Sequence, residues 1–257
     1  MPEWFILLSL FLFGSAVGSF LNVCILRMPK EMSIAYPASH CPVCKKPIPF
    51  YFNIPLISYI ILGGKCRNCK TPISFQYFFV ELITPLTAVL LYFFFGLSLP
   101  LLLSFIFSAA LIVITFIDLE HQIIPDRISL PGIIICFIFS FFVPWVTPLN
   151  SAIGILAGGG ILYIFAAGYH LLTKKDGMGG GDIKLLAMIG AFLGWKGALT
   201  TLMVGAFIGS FIGIILILFK GKNTKYAIPF GPFLSAGAFL SLLWGEQIVY
   251  FYLNLGR

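Results

Sequence analysis

Charge is scarce in this chain. Only 10% of its 257 residues are Asp, Glu, Lys or Arg, against about a quarter in an ordinary soluble domain. The mean hydropathy is +1.03. That shortage excludes a soluble globular protein. Acidic side chains are scarcer still, nine against sixteen basic ones, so a carboxylate at the edge of an apolar run needs a reason. The apolar run at 4–26 has no basic residue before it and no Ala-x-Ala site after it. This argues against a cleaved signal peptide and for a retained span. No Rossmann-type glycine fingerprint follows a strand pattern, so that nucleotide-binding fold is not expected. No convincing internal repeat joins the two halves, which argues against a secondary transporter using paired acids as a proton relay.

What is abundant is apolar and small: 60% hydrophobic residues, with 28 Phe and 26 Gly. Glycine among apolar residues suits close helix packing in lipid. A span needs about 20 residues to cross a hydrocarbon core of about 30 Å. Candidate stretches lie at 4–26, 77–97, 99–117, 129–146, 151–172, 183–196, 198–219 and 230–253, with turns at Pro100, Pro148 and Gly197. The sixth is short and broken by glycine. The expected fold is an α-helical polytopic membrane protein of about eight transmembrane helices with a small cytoplasmic zinc-binding domain. Eight spans place 14 of the 16 basic residues on one side, leaving Lys196 and Arg257 opposite. The positive-inside rule makes the crowded side cytoplasmic. The net charge of +7 is then accounted for by topology and anionic lipid, with no nucleic-acid partner required.

Residues 27–75 form the one soluble-looking unit, between a first helix at 1–26 and a membrane core at 76–257. They hold Cys41-Pro-Val-Cys44 and Cys66-Arg-Asn-Cys69, two C-x2-C knuckles with 21 residues between them. The pattern reads as a four-thiolate structural zinc site, closed to water. Two disulfides are the alternative, which a reducing cytoplasm disfavours. A unit of this size has little core of its own, so a metal staple is physically reasonable. Its prolines point to turns and short strands. Cys24 and Cys136 fall within apolar spans and read as small buried residues.

Two carboxylates stand at the ends of apolar runs. Asp118 closes the run Leu111 to Ile117, and Asp182 follows Gly177-Met178-Gly179-Gly180-Gly181. Acids bordering a bilayer are costly and tend to be functional. Two sharing a site can hold one proton between them and activate a water. Both fall on the cytoplasmic side by the charge argument. The glycines either turn the chain or, by allowing positive φ and exposing N–H groups, let an extended substrate approach Asp182.

These residues resemble, in order and over nearly the whole chain, the type IV prepilin peptidases. Gly18-Ser19-Phe20-Leu21-Asn22-Val23 with Arg27 and Pro29 is similar to the family's first span. The cysteine pairs then bracket Asn53-Ile54-Pro55-Leu56 and Gly63-Gly64-Lys65. Val80-Glu81-Leu82, Asp118 with Pro125-Asp126, Gly179-x-Gly181-Asp182-x-Lys184 and Ile228-Pro229-Phe230-Gly231-Pro232 follow. The resemblance implies a bifunctional enzyme of a bacterial cytoplasmic (inner) membrane, with Asp118 and Asp182 as its catalytic pair. It would remove the basic leader of a prepilin or pseudopilin after a glycine. It would then methylate the new N-terminal amine, usually of phenylalanine, with S-adenosylmethionine.

Other residues keep two readings each. Gly179, Gly180 and Gly181 form a docking edge or a turn. Lys184 tunes Asp182 or meets lipid headgroups. Asp126 supports the site or caps a helix. Glu120 and Asp176 attract a basic leader or are solvated, and His121 tunes the pair or is solvated. Gly64 matches a glycine the family associates with methyl transfer, while Glu81 holds an amine or cofactor group or is a buried helix residue. A presenilin-like or signal-peptide-peptidase-like protease is disfavoured: Ile117, not Tyr, precedes Asp118, and a cysteine module is added. The oligomeric state is left open.

Overall fold

The structure is a computed structural model describing residues 2–36, 38–41, 43–49, 54–174, 179–220 and 228–254. Eight α-helices occur among them. They are α1 Glu3–Arg27, α2 Ile57–Ile61, α3 Phe75–Phe95, α4 Leu99–His121, α5 Asp126–Phe139, α6 Pro148–Thr173, α7 Gly180–Lys220 and α8 Gly231–Asn254. The described residues contain no β-strand. The short strands expected at 27–75 are reduced to two isolated bridges, His40–Pro47 and Lys65–Pro72.

Every apolar stretch read from the sequence falls wholly or largely in a helix. Five spans, at Glu3–Lys30, Phe75–Phe95, Leu99–His121, Pro148–Thr173 and Gly180–Leu218, are long and apolar enough to cross a membrane. Local chemistry sets several ends. Ser74 caps α3, its Oγ accepting from the Gln76 N–H, and Thr147 caps α6 ahead of Pro148. Helix α5 is only 14 residues long and stops at Phe139, short of the apolar stretch that continues to 146. At about 1.5 Å per residue, the 41 residues of α7 would reach about 60 Å if straight. The chain breaks it at Gly194, where φ is 73° and ψ 179°. The turn expected at Gly197 thus lies three residues earlier. Helix α8 is interrupted at Trp244.

The chain forms two compact units, Met1–Val113 and Ile114–Arg257. In the first, α1 and α3 approach through small residues. A Cβ on Gly14 would fall 2.5 Å from the Pro85 Cα, and one on Gly18 would fall 3.0 Å from the Glu81 Cα. The buried Asn22 amide donates to the Tyr77 carbonyl. Cys24 is buried in this unit, as Cys136 is in the other.

In the second unit, α6 and α7 pack backbone to backbone. A Cβ on Gly154 would overlap the Gly190 carbonyl, and one on Gly158 the Leu186 carbonyl. Ser151 donates its hydroxyl to the Ala191 carbonyl, and the Trp145 indole donates to that of Phe192. Leu185, Leu186, Met188, Ile189 and Phe192 are fully buried there. Helix α8 reaches α7 in the same manner, Gly237 lying against the Thr201 carbonyl.

Gly154→Leu should therefore lower the thermal midpoint of the detergent-purified protein, since overpacking costs about 1–3 kcal/mol. Gly160→Ala, where a Cβ meets nothing within 4 Å, should leave it unchanged or raise it. Equal effects of the two variants on the melting curve would contradict the packing described.

Candidate active site and metal centre

Asp118 lies near the C-terminal end of α4 and is only 5% exposed. Its Oδ2 accepts a hydrogen bond from the Gly231 N–H at 2.9 Å. Gly231 opens α8, where the first N–H groups have no partner within the helix. A side chain there is excluded, because a Cβ would sit 2.7 Å from the same Oδ2. The helix ends just beyond Asp118, with Gln122 at φ 55° and its N–H bonded to the Asp118 carbonyl.

Asp182 lies in the first turn of α7, half-buried, with its N–H on the Gly179 carbonyl at 3.2 Å. A carboxylate there also faces the positive end of the helix dipole. The two aspartates, 64 positions apart in sequence, are close enough to interact electrostatically. Ile124 joins their supports. A Cβ on Gly181 would fall 2.8 Å from the Ile124 Cβ, and one on Gly231 would fall 3.3 Å from its Cδ1. The loop after α4 is thus seated against both glycines.

The glycines before Asp182 differ among themselves. Gly180 and Gly181 are already helical, the first two residues of α7. The conformational freedom expected of them is not used, and Gly181 serves close packing instead. Gly180 faces open space. Gly177, Met178 and Asp176 lie outside the described residues.

Lys184 forms a two-pronged ion pair with Asp126, Nζ to the carboxylate oxygens at 2.7 and 2.8 Å. The side-chain partner of Lys184 is therefore Asp126 rather than Asp182. Asp126 is the first residue of α5, and Pro125 occupies the cap position, so Asp126 is not the cap. The pair ties the start of α5 to the start of α7. Glu120 and His121 are exposed at the end of α4.

In the first unit the sulfurs of Cys41, Cys44, Cys66 and Cys69 lie within 4.8 Å of one another. All four thiols are free, so the disulfide alternative is not adopted. The knuckles are built alike. The Cys41 N–H reaches the Lys46 carbonyl and the Cys66 N–H that of Thr71, while Lys45 and Lys70 take φ of 58° and 59°. Cys41 and Cys69 sulfurs are 3.7 Å apart. Tetrahedral zinc with Zn–S of about 2.3 Å would set sulfurs about 3.8 Å apart. Hydrogen bonding by the Thr71 hydroxyl and backbone pulls the Cys69 thiol down to about 6. Backbone N–H groups of Cys44 and Val43 lower Cys41. Cys41 and Cys69 are thereby shifted toward thiolate, the form that binds metal. At Cys44, by contrast, a backbone hydrogen bond from Lys46 is outweighed by burial and the neighbouring cysteine side chains, which push it up to about 11. The donor set fits zinc.

Glu81, in α3, accepts the Leu56 N–H at 2.8 Å. Gly64 has φ 64°, and a Cβ there would lie 2.9 Å from the Tyr59 hydroxyl. The support from Gly231, the Ile124 wedge and the engagement of Glu81 escaped the sequence reading, although Gly231 lay in a motif already singled out.

Comparison with known proteins adds to this geometry. The family described as "Type IV leader peptidase family" matches residues 105–218, and "Bacterial Peptidase A24 N-terminal domain" matches 12–95. The "Prepilin leader peptidase/N-methyltransferase" of Aeromonas hydrophila is 36% identical, over 98% of this chain and 95% of its own. Proteins of the same description from Legionella pneumophila and Pseudomonas aeruginosa are 35% and 34% identical, again over 98% of this chain and over 96% and 95% of theirs. This chain belongs to the type IV leader peptidase family. No solved structure matches it. Membership gives no support to the presenilin-like or transporter readings. In this leader peptidase family member, the N-terminal match holds the four cysteines, Gly64 and Glu81, and the other holds Asp118, Asp126, Asp182 and Lys184. Gly231 lies beyond both matches.

The Lys184–Asp126 pair is 36% and 55% exposed, so its worth is limited to about 0.2–1 kcal/mol. Lys184→Met and Asp126→Asn should each lower thermal stability by no more than about 1 kcal/mol, and the double variant should add little to either single. A double-mutant cycle on the melting curve checks this. Fully additive losses would show that the contact carries no coupling.

Proposed function

We propose that this protein cleaves the basic leader from type IV prepilins or pseudopilins and then methylates the exposed N-terminus. The observation that carries the reading is that Ile124 packs against both Gly181, beside Asp182, and Gly231, which holds Asp118, inside a family whose curated members carry both activities in their names. Two neighbouring carboxylates resist double ionisation, so one proton is shared. The ionised member takes a proton from water, and the oxygen attacks the scissile carbonyl. The protonated member hydrogen-bonds to the carbonyl oxygen, and a proton then passes to the leaving amine. Acid–base help of this kind contributes about 10²–10⁴-fold, with positioning and electrostatics adding more. Gly231 fixes the Asp118 carboxylate, while the Asp126–Lys184 pair and Gly181 hold the turn that carries Asp182. Gly179 and Gly180 give an extended substrate room to approach.

Five helices among the described residues are long and apolar enough to cross a membrane, and they support a multi-pass reading together with the one-sided basic residues. In this reading the chain crosses a bacterial inner membrane about eight times, and the pair lies at its cytoplasmic face, among lipids. There the junction between a prepilin's basic leader and its apolar helix would meet it. Residues 1–26 act as the first helix, 27–75 as the zinc domain linked to methyl transfer, and 76–257 as the peptidase core. Zinc held by Cys41, Cys44, Cys66 and Cys69 is structural, since four thiolates leave no position for water. S-adenosylmethionine, when bound, supplies the methyl group. Tyr59, Phe75 and Phe78, with ring centroids 5.4–6.5 Å apart, offer aromatic faces suited to its sulfonium cation. Beside them Gly63, with nothing within 4 Å of its missing side chain, leaves backbone open. Gly64 and Glu81 belong to the same region.

Mass spectrometry of a co-expressed prepilin reports both activities at once. The wild type should yield a shortened pilin carrying one methyl group. Asp118→Asn and Asp182→Asn should each abolish cleavage while the protein still accumulates in the membrane. Full cleavage by either variant would refute the dyad. Metal analysis of protein purified without chelator should find stoichiometric zinc. Cys41→Ser should release it and impair methylation at least as much as cleavage, and its absence from the wild type would refute the metal assignment.

A further inference from the structure

Leu56 is the most strained point among the described residues of the first unit. Its φ of 63° and ψ of −52° belong to no regular region for a branched side chain. The Ile57 N–H bonds back to the Pro55 carbonyl at 2.6 Å, closing a three-residue γ-turn of the rare positive-φ kind. Such a conformation persists only where its surroundings enforce it, and strain of this sort gathers at functional sites.

One side chain enforces it. The Glu81 Oε2 accepts the Leu56 N–H at 2.8 Å, and the Ser19 hydroxyl interacts with the same carboxylate. Gly18, against the backbone of Glu81 and Val80, allows α1 close enough for that interaction. From Leu56 the chain runs through α2 to Tyr59, whose ring packs on Phe75 and Phe78 and whose hydroxyl donates to the Ile73 carbonyl. The Gly64 N–H closes onto the Tyr59 carbonyl at 2.9 Å. A change at Leu56 is thereby passed to the aromatic cluster and to Gly64.

We propose that Glu81 is a positioning residue for methyl transfer, a latch whose carboxylate oxygen holds the Leu56 turn and so sets the segment from Leu56 to Gly64. This rests on the methyl-transfer reading of the first unit. It differs from a role in which Glu81 touches the substrate amine or the methyl donor, because the oxygen is already engaged by the chain's own backbone.

Glutamine keeps an acceptor oxygen and loses the charge, whereas methionine keeps the volume and loses both. Glu81→Gln and Glu81→Met are each co-expressed with a prepilin, and its N-terminus is weighed. Both variants should cleave as the wild type does, which reports that they fold. Glu81→Met should lower the methylated fraction by about tenfold or more, the scale of one lost hydrogen bond to a charged group. Glu81→Gln should recover most of it. Glu81→Gln as inactive as Glu81→Met would overturn the latch in favour of direct use of the charge. Full methylation by Glu81→Met would overturn any role for Glu81. Cleaved but unmethylated product from the wild type would instead overturn the methyl-transfer reading itself, and the latch with it.

Discussion

Keeping a carboxylate in an apolar helical chain is the constraint on which the second unit depends. Asp118 is buried, and a buried acid without a donor is costly. Its donor is the Gly231 N–H, free because it opens a helix. The bond exists only because residue 231 lacks a side chain and because the loop after α4 can tuck Ile124 beside it. The same isoleucine closes against Gly181, next to Asp182. Position of one aspartate and position of the other are therefore set by shared contacts, which is what a site acting as a unit requires.

Glycine does different work at each place where helices meet. At Gly154, Gly158 and Gly190 it lets backbones approach, so that the Ser151 hydroxyl on α6 and the Trp145 indole in the turn before it reach carbonyls of α7. At Gly194 it takes a positive φ and breaks a helix too long for one crossing. At Gly231 it exposes an N–H to a carboxylate. The first unit solves its own shortage of core differently, with four thiols gathered by two matching knuckles and a strained turn tied down by Glu81.

Much of this was legible in the sequence where residue type alone carries the chemistry. Acids at the ends of apolar runs and paired C-x2-C knuckles need no tertiary information to stand out, and the helices follow from apolar run lengths. What escaped depends on contacts between distant residues. The break in α7 falls at Gly194, packed against Val146 and Asn150, rather than at Gly197, and the sequence offers two glycines either side of Lys196 with nothing local to choose between them. Lys184 pairs with Asp126 across 58 positions, so its sequence neighbour Asp182 was a misleading guide. Pro55 announces a turn, but leucine is a poor residue for positive φ, so nothing local announces the form the turn takes at Leu56. Glycines 179 to 181 suggested backbone freedom, yet two of them open a helix.

The central claim is that Asp118 and Asp182 work as one acid–base pair sharing a proton. The most direct test is the pH dependence of kcat/KM for prepilin cleavage in membranes, over the range in which the protein stays folded. A shared proton predicts a bell: activity falls at low pH as the pair gains a second proton and at high pH as it loses the one it shares. A rate that is flat, or that falls on only one side, would contradict the account.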